Sequence, residues 1–543
     1  MLLSHVTIEN FRGIGRLSLD LDRTTVVIGE NNHGKTSLVD VLERCLGAPD
    51  DGDGPGWEYR DFRRGPDGIV GPIRVVLAFG AEGIEGEQLR AEFTGTAGSG
   101  AMTTRFLDAE GQPLDLPEPG ETLRRLRRMH PVLVVRLAQP VPDEPLEWVT
   151  HGSRQEFDPG RRDDPEEAIS QVYHRLTRTR GAIPAEEIRK GLQAARELRG
   201  SGGGKAGLAE WGPAGRVLER VLSDAGAAGP SMLSGSGSRS LGLLMVLGSL
   251  LEARGAALME AGSSPLIAIE EPEVHLHPML LSSTWDVIQS LQAQTLVTTN
   301  SGEFLSQVPL SNLRRLVRRA GRIQAFRLKE GTLSSDALRR VAYHVRAKRG
   351  VTLFARCWIL VEGETEFWLL QELARVLGYD LGAEGVRCVE FAQCGVAPLV
   401  RLANDLGIEW HLLSDGDVSG VAFAADASAQ VGHRRKRDHV TRLERRNVEM
   451  LLWDHGFEDV FLRATGLAAQ QGLPAEERIP PHRVVERAVR AHSKPGLALM
   501  VAEECARRGP ESVPPPLRNV IETAVRLARE AVVDDFVGEG GKT

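Results

Sequence analysis

The chain opens on alternation. Between Val6 and Asp20 the apolar residues Val6, Ile8, Phe11, Ile14, Leu17 and Leu19 recur on a near two-residue period, with Gly13 at the bend. That period predicts an antiparallel hairpin. The β-branched run Thr24–Ile28 predicts a buried strand, and Ser37–Leu42 follows with helical spacing. Ile73–Phe79 and Pro131–Leu137 read as further strands, while residues 48–66 are rich in Gly, Pro and Asp and read as loop. Residues 155–225 are charged and helical in pattern, with Asp164-Pro165-Glu166-Glu167 as a helix start and a glycine break at 200–204. Pro265–Ile269 and Thr295–Thr299 are strands that run out into polar residues. A basic stretch (Arg314, Arg315, Arg318, Arg319, Arg322) precedes a second series. Its elements are strand Cys357–Val361, helix Phe367–Leu377, strand Val386–Phe391, helix Val396–Leu406 and strand Ile408–Leu413. Strand–helix alternation of this kind predicts right-handed crossovers and a parallel sheet.

Composition narrows the class. A chain of 543 residues has room for about three domains. It is 41% hydrophobic and 26% charged, as a water-soluble protein is. No apolar run reaches the length of a membrane span and Met1-Leu2-Leu3 lacks a signal-peptide pattern, so the expected location is the cytoplasm, with no membrane partner. Five scattered cysteines form no C-x-x-C pair and read as buried thiols. The net charge of -8 does not exclude DNA, because local basic faces decide backbone binding.

The chemistry concentrates at strand ends. Gly29-Glu30-Asn31-Asn32-His33-Gly34-Lys35-Thr36-Ser37 fits the phosphate-cradling P-loop, and it stands between a predicted strand and a predicted helix. Gly29 and Gly34 permit close backbone approach, and backbone N–H groups at the helix start meet the phosphates. Lys35 reaches the terminal phosphates and Thr36 the magnesium. Ile267-Ala268-Ile269-Glu270-Glu271 reads as a Walker B strand, with Glu270 holding magnesium through water and Glu271 polarising the attacking water; solvated acids at a strand end are the bland alternative. Ser234-Gly235, ahead of the apolar helix 241–251, is an anion site or a flexible linker. In the second series Glu362 follows the first strand, and Asp415-Gly416-Asp417 follows the third, where open α/β sheets place their sites. Hard oxygen ligands of this kind suit Mg²⁺ or Mn²⁺.

Ile8-Glu9-Asn10-Phe11-Arg12-Gly13-Ile14 ahead of a P-loop resembles the start of ABC-type ATPases of the SMC/RecF kind. That resemblance implies Gln139 as a metal contact, and Ser234-Gly235 as a degenerate signature for the nucleotide of the opposite subunit. It makes His275-Leu276-His277 a subunit-contact turn, not a metal pair. Asn300 stands where such ATPases commonly carry a histidine; it hydrogen-bonds without charge, which points to ATP as a dimer clamp. The second series resembles the Toprim fold. Together the halves look like the OLD (overcoming lysogenisation defect) nucleases of phage defence. The fold class implied is α/β: an ABC-type P-loop ATPase with a helical insertion, then a Toprim domain. The expected boundaries are 1–154 and 226–350 for the ATPase halves, 155–225 for the insertion (a dimerisation arm or a solvated helical pair) and 351–543 for Toprim. The resemblance implies Glu362 and Glu366 on one metal, Asp415, Asp417 and Ser419 in the second motif, Glu449 on a second metal and Lys494 as catalytic lysine. It implies ATP with one Mg²⁺, two Mg²⁺ or Mn²⁺ ions in the Toprim site, a homodimer and possible work with a helicase partner.

Phosphodiester hydrolysis by two metals is therefore the expected reaction. Basic runs at Arg434-Arg435-Lys436-Arg437, Arg442, Arg445 and Arg446 suit a DNA backbone, and no base-reading module is evident. Three rivals stand beside it: a repair ATPase with an inert Toprim scaffold, an ATP-gated clamp, and a topoisomerase. The last needs a nucleophilic tyrosine, and none of Tyr59, Tyr173, Tyr343 and Tyr379 sits in an evident cleavage module.

Overall fold

The structure is a computed structural model. It describes residues 2–47, 56–65, 68–80, 89–136, 183–184, 232–233, 264–319, 322–347, 350–430 and 439–533, less positions 275, 277 and 292. The chain divides into two compact units, one ending at Ala325 and the other starting at Phe326.

In the first unit β1 (Leu2–Phe11) and β2 (Ile14–Asp20) form the expected hairpin, paired antiparallel from His5↔Asp20 to Phe11↔Ile14. β4 (Ile73–Gly80), β5 (Leu89–Gly95) and β6 (Met102–Leu107) extend it into a five-stranded antiparallel sheet of order β2-β1-β4-β5-β6. The second sheet contains β3 (Thr24–Gly29), β7 (Val132–Arg136), β8 (Leu266–Glu270), β9 (Gln294–Thr298), β10 (Leu313–Arg319) and β11 (Arg322–Phe326), in the order β11-β10-β3-β9-β8-β7. Its four inner pairings are parallel. β3 runs through the middle as a near-continuous apolar strand, as a strand covered on both faces requires. Helix α1 (Lys35–Leu46) buries Leu38, Val39, Val41, Leu42, Cys45 and Leu46 in the core that residues of both sheets share. Each such side chain contributes about 1.5–3 kcal/mol when fully buried. Among the described residues the next α-helices of more than one turn are α2 (Pro119–Met129), α3 (Pro278–Ser290) and, in the second unit, α4 (Ser335–Val341).

The basic stretch is part of the sheet. Arg314, Arg315, Arg318 and Arg319 belong to β10 and Arg322 opens β11, with Arg314 and Arg315 only 2% and 4% exposed. Arg314 satisfies its guanidinium on the carbonyls of Asp20, Ser311 and Leu313 and on the Asp22 carboxylate. Local carbonyls and one acid let an arginine-rich segment enter a core.

In the second unit β12 (Cys357–Val361), β13 (Val386–Glu390), β14 (Glu409–Ser414) and β15 (Val440–Arg442) form an all-parallel sheet of order β13-β12-β14-β15. Helix α5 (Glu364–Val376) follows β12, α6 (Val396–Asp405) follows β13 and α7 (Val418–Ala429) follows β14. α5 begins three residues before its expected start. The polar run Glu364-Thr365-Glu366 is its first turn, because Glu366 turns back to accept the Gly363 N–H at 3.2 Å. Downstream come α8 (Val448–Leu452), α9 (Glu458–Ala464), α10 (Pro481–His492), α11 (Lys494–Arg508) and α12 (Pro515–Val533). α10, α11 and α12 join α5 and one face of β12 in a single core. All five cysteines are free and buried, and no helix among the described residues is long and apolar enough to cross a membrane.

Candidate nucleotide and metal sites

The nucleotide candidate sits where β3 ends. Gly34 caps α1 at φ 85°, and a Cβ there would lie 3.0 Å from both Ile14 and Ile323, so glycine answers to backbone and space alike. Asn32 also takes a left-handed backbone, at φ 69°, while Asn31, Asn32 and Thr36 are exposed and Ser37 is half-buried. Lys35 is buried. Its Nζ donates to the Gly29 carbonyl at 2.6 Å and the Glu30 carbonyl at 3.2 Å. Burial lowers its pKa, and Glu271, Glu273 and Glu30 pull the other way.

Glu270 closes β8, next to Arg136 at the end of β7, and the two are direct partners in the parallel register. Arg136 Nε donates to Glu270 at 2.7 Å, and its Nη2 donates to Asp40 at 2.5 Å and Glu43 at 2.8 Å. Burial raises the Glu270 pKa against the pull of Arg136; Thr36 faces the same carboxylate. Arg12, in the tight turn between β1 and β2, pairs with Asp40 and with Asp61, the latter at 3.1 Å, on a left-handed backbone of φ 47°. These side chains line a cavity of about 710 Å³ that includes Arg12, Thr36, Asp40, Arg136, Glu270 and Glu271. Glu271 itself stands at φ 49°, a conformation that costs a non-glycine residue and gathers at functional sites. Asn300 holds it: Nδ2 donates to Glu271 at 2.6 Å, and its backbone N–H donates to Glu273 at 2.9 Å. Glu273 Oε2 is buried without a hydrogen-bond partner, and burial raises that carboxyl's pKa.

The sequence reading overlooked Arg136, Asp40, Arg12 and Glu273. Two had a visible signal: Arg12, inside the Ile8–Ile14 motif, and Glu273, as the third acid of Glu270-Glu271-Pro272-Glu273. The others depend on strand register and on which face of α1 meets β7.

The second site gathers acids from three parts of the Toprim-like sheet. Glu362 leaves β12, Asp415 and Asp417 leave β14, and Glu366 and Glu449 lie in the first turns of α5 and α8. Their surroundings differ. Asp417 caps α7 by accepting the Gly420 N–H at 2.7 Å; Glu449 accepts from the Thr365 hydroxyl at 2.8 Å. Glu362 Oε2 and Ser414 Oγ are buried with no hydrogen-bond partner. Burial and the fields of Glu366, Glu362, Glu449 and Asp417 push Asp415 up to about 8. Burial, with Glu449 adding to it, takes Glu366 to about 7, and burial with Asp417 raises Glu362. Lys494 opens α11 and draws both glutamates back toward ionisation; its Nζ lies 3.9 Å from where a Cβ on Gly363 would stand.

The excess of negative charge and the all-oxygen donor set fit a hard divalent cation. Among the described residues no group of three or more His, Cys, Asp and Glu side chains stands where it could hold a metal ion. Ser419 is exposed in the first turn of α7. Arg442, Arg445 and Arg446 are exposed, with Arg445 paired to Asp454. Gln139, Ser234, Gly235, His275, His277, the run Arg434–Arg437 and the insertion 155–225, apart from the short strand Ile183–Pro184, lie outside the described residues.

Comparison with known proteins finds similarity in both units. The family described as "Protein of unknown function (DUF2813)" matches residues 1–88, 73–200 and 231–352. The "Overcoming lysogenization defect protein-like, TOPRIM domain" matches residues 353–417, which hold Glu362, Glu366, Asp415 and Asp417. The Escherichia coli (strain K12) "Uncharacterized protein YbjD" is 34% identical over 579 residues, covering 97% of this chain and 99% of its own. Among solved structures, the C-terminal region of the Burkholderia pseudomallei OLD protein is 17% identical, covers 32% of this chain and 99% of its own, and has a TM-score of 0.28. The SMC head domain from Thermotoga maritima is 13% identical, covers 61% and 100%, and has a TM-score of 0.33. Similarity that distant adds nothing to the sequence matches. Those matches and the two sheets lead to one assignment: the chain belongs to the DUF2813 family and joins an ABC-type P-loop fold to an OLD-like Toprim domain.

Proposed function

We propose that this protein is an ATP-binding, divalent-metal-dependent DNA endonuclease of the OLD kind. The observation that carries the reading is the placement of Glu362, Asp415 and Asp417 at the ends of β12 and β14 and of Glu366 and Glu449 in the first turns of α5 and α8, with Lys494 Nζ close to Gly363. A pair of Mg²⁺ or Mn²⁺ ions, when bound, supplies an activated water and stabilises the leaving oxygen. Glu362, with a carboxylate oxygen already bare, and Asp415 are the first ligands. Glu366, Asp417 and Glu449 complete the set by side-chain rotation. Lys494 steadies charge developing on the phosphate. In the first unit, ATP with Mg²⁺ occupies the loop from Gly29 to Ser37 and the carboxylate of Glu270. Phage defence, a homodimer and a helicase partner belong to this proposal as well.

One observation favours a second reading of the ATP site. Asn300 occupies an oxygen of Glu271, so the carboxylate best placed to activate water is already hydrogen-bonded. ATP then acts as a clamp that is hydrolysed slowly.

The test is cleavage of supercoiled plasmid with Mg²⁺ or Mn²⁺, with and without ATP. Wild type nicks or linearises the plasmid. Asp415→Ala loses at least a hundredfold in rate, an effect of about 2.7 kcal/mol on the barrier. Continued cutting by Asp415→Ala sinks the Toprim assignment. Normal cutting by Lys35→Ala makes ATP a regulator and not a requirement.

A further inference from the structure

Helix α10 carries three arginines on one face. Arg483, Arg487 and Arg490 follow the i, i+4, i+7 spacing of a single helical stripe. The opposite face, Val484, Val485 and Ala488, is buried in the unit's core, and all three arginines are exposed. Among the described residues none of the three has a carboxylate partner. Neighbouring arginines behave otherwise: Arg463 and Arg508 each pair with both Asp459 and Glu504. Glu486 is the one acid on the exposed side of α10, and it stands at the edge of the stripe.

The stripe also has a direction. After His492 the chain turns at Ser493, on a left-handed backbone of φ 62°, and starts α11 with Lys494. Lys494 is the cation of the acidic site. It stands four positions after Arg490, so their Cα atoms lie within about 15 Å however the turn runs. Arg483 and Arg490 are about 10 Å apart along the helix. A row of unpaired guanidiniums over that length, leading to a phosphate-handling site, matches the repeat of a nucleic-acid backbone.

We infer that the α10 stripe is a phosphate-backbone track that holds duplex DNA on its way to the acidic site. The inference rests on the reading of that site as one that acts on DNA. The track grips without regard to base sequence. Its energy comes from counterion release, so it is read in the salt dependence of binding.

The experiment measures anisotropy of a labelled duplex against full-length protein over a salt series. EDTA is present throughout, so cleavage plays no part. The variants are Arg483→Gln/Arg487→Gln/Arg490→Gln and the charge-conserving Arg483→Lys/Arg487→Lys/Arg490→Lys. Loss of three phosphate contacts lowers the slope of log K against log salt by about 2 to 3. The lysine variant keeps the wild-type slope, which separates charge from fold. The proposal is overturned if the glutamine variant keeps the full slope, if the lysine variant loses as much as the glutamine one, or if wild type does not bind the duplex. Should the slope fall as expected while no metal yields plasmid cleavage, the track stands and the nuclease reading fails. Cleavage with an unchanged slope does the reverse.

Discussion

Arg136 is one guanidinium serving three carboxylates: Glu270, Asp40 and Glu43. Replacing it leaves Glu270 buried with no cation beside it, and a charge stranded in that way is costly. Arg136→Ala is expected to lose about 2–4 kcal/mol of stability, read from the midpoint of chemical unfolding. His130 shows the other way a buried group sets stability. It stacks on Phe79 at 4.7 Å and donates from Nδ1 to the Ser264 carbonyl at 3.2 Å, and burial holds its imidazole down to about 4. The unfolded chain therefore takes up this proton first as the pH falls. The stability that neutral His130 contributes is complete above about pH 6.5 and is lost between there and about pH 4, at a cost near 3 kcal/mol. His130→Gln removes that share of the pH dependence; unfolding midpoints of both proteins at pH 7 and pH 4 measure it by difference.

At the scale of elements, the first turn of α7 stands close against the end of β14, beside the Asp415 backbone. Gly420 allows it, because a Cβ at that position would collide with the backbone carbonyl of Asp415. Gly420→Ala must lift the first turn of α7 and disturb the Asp417 cap. It is expected to cost about 1–3 kcal/mol in thermal or chemical unfolding, with a fall in metal-dependent cleavage. The strands around this turn were legible in the sequence, since β12, β13 and β14 are short apolar runs between turn residues and each ends in polar groups. β10 was not. Its arginines read only as a basic stretch, because no sequence pattern reveals that Asp22 and three carbonyls await Arg314. The start of α5 was missed for a related reason: an acidic run reads as loop until one acid is seen capping its own helix.

For the whole molecule, each unit has a sheet whose strand ends present its candidate site, and motif spacing was enough to say so for both. Less legible was everything set by register between distant segments. Glu270 and Arg136 lie 134 residues apart and meet because their strands are direct neighbours. That same adjacency governs how the chain can change. β7 ends at Arg136 and β8 starts at Leu266, and the two strands lie side by side in parallel register. Doubling the length of a connection between two such strands adds only about 0.6 kcal/mol of closure entropy. Evolution can therefore lengthen or shorten what lies between these strands more cheaply than it can alter Arg136 or Glu270, whose pairing ties their ends together.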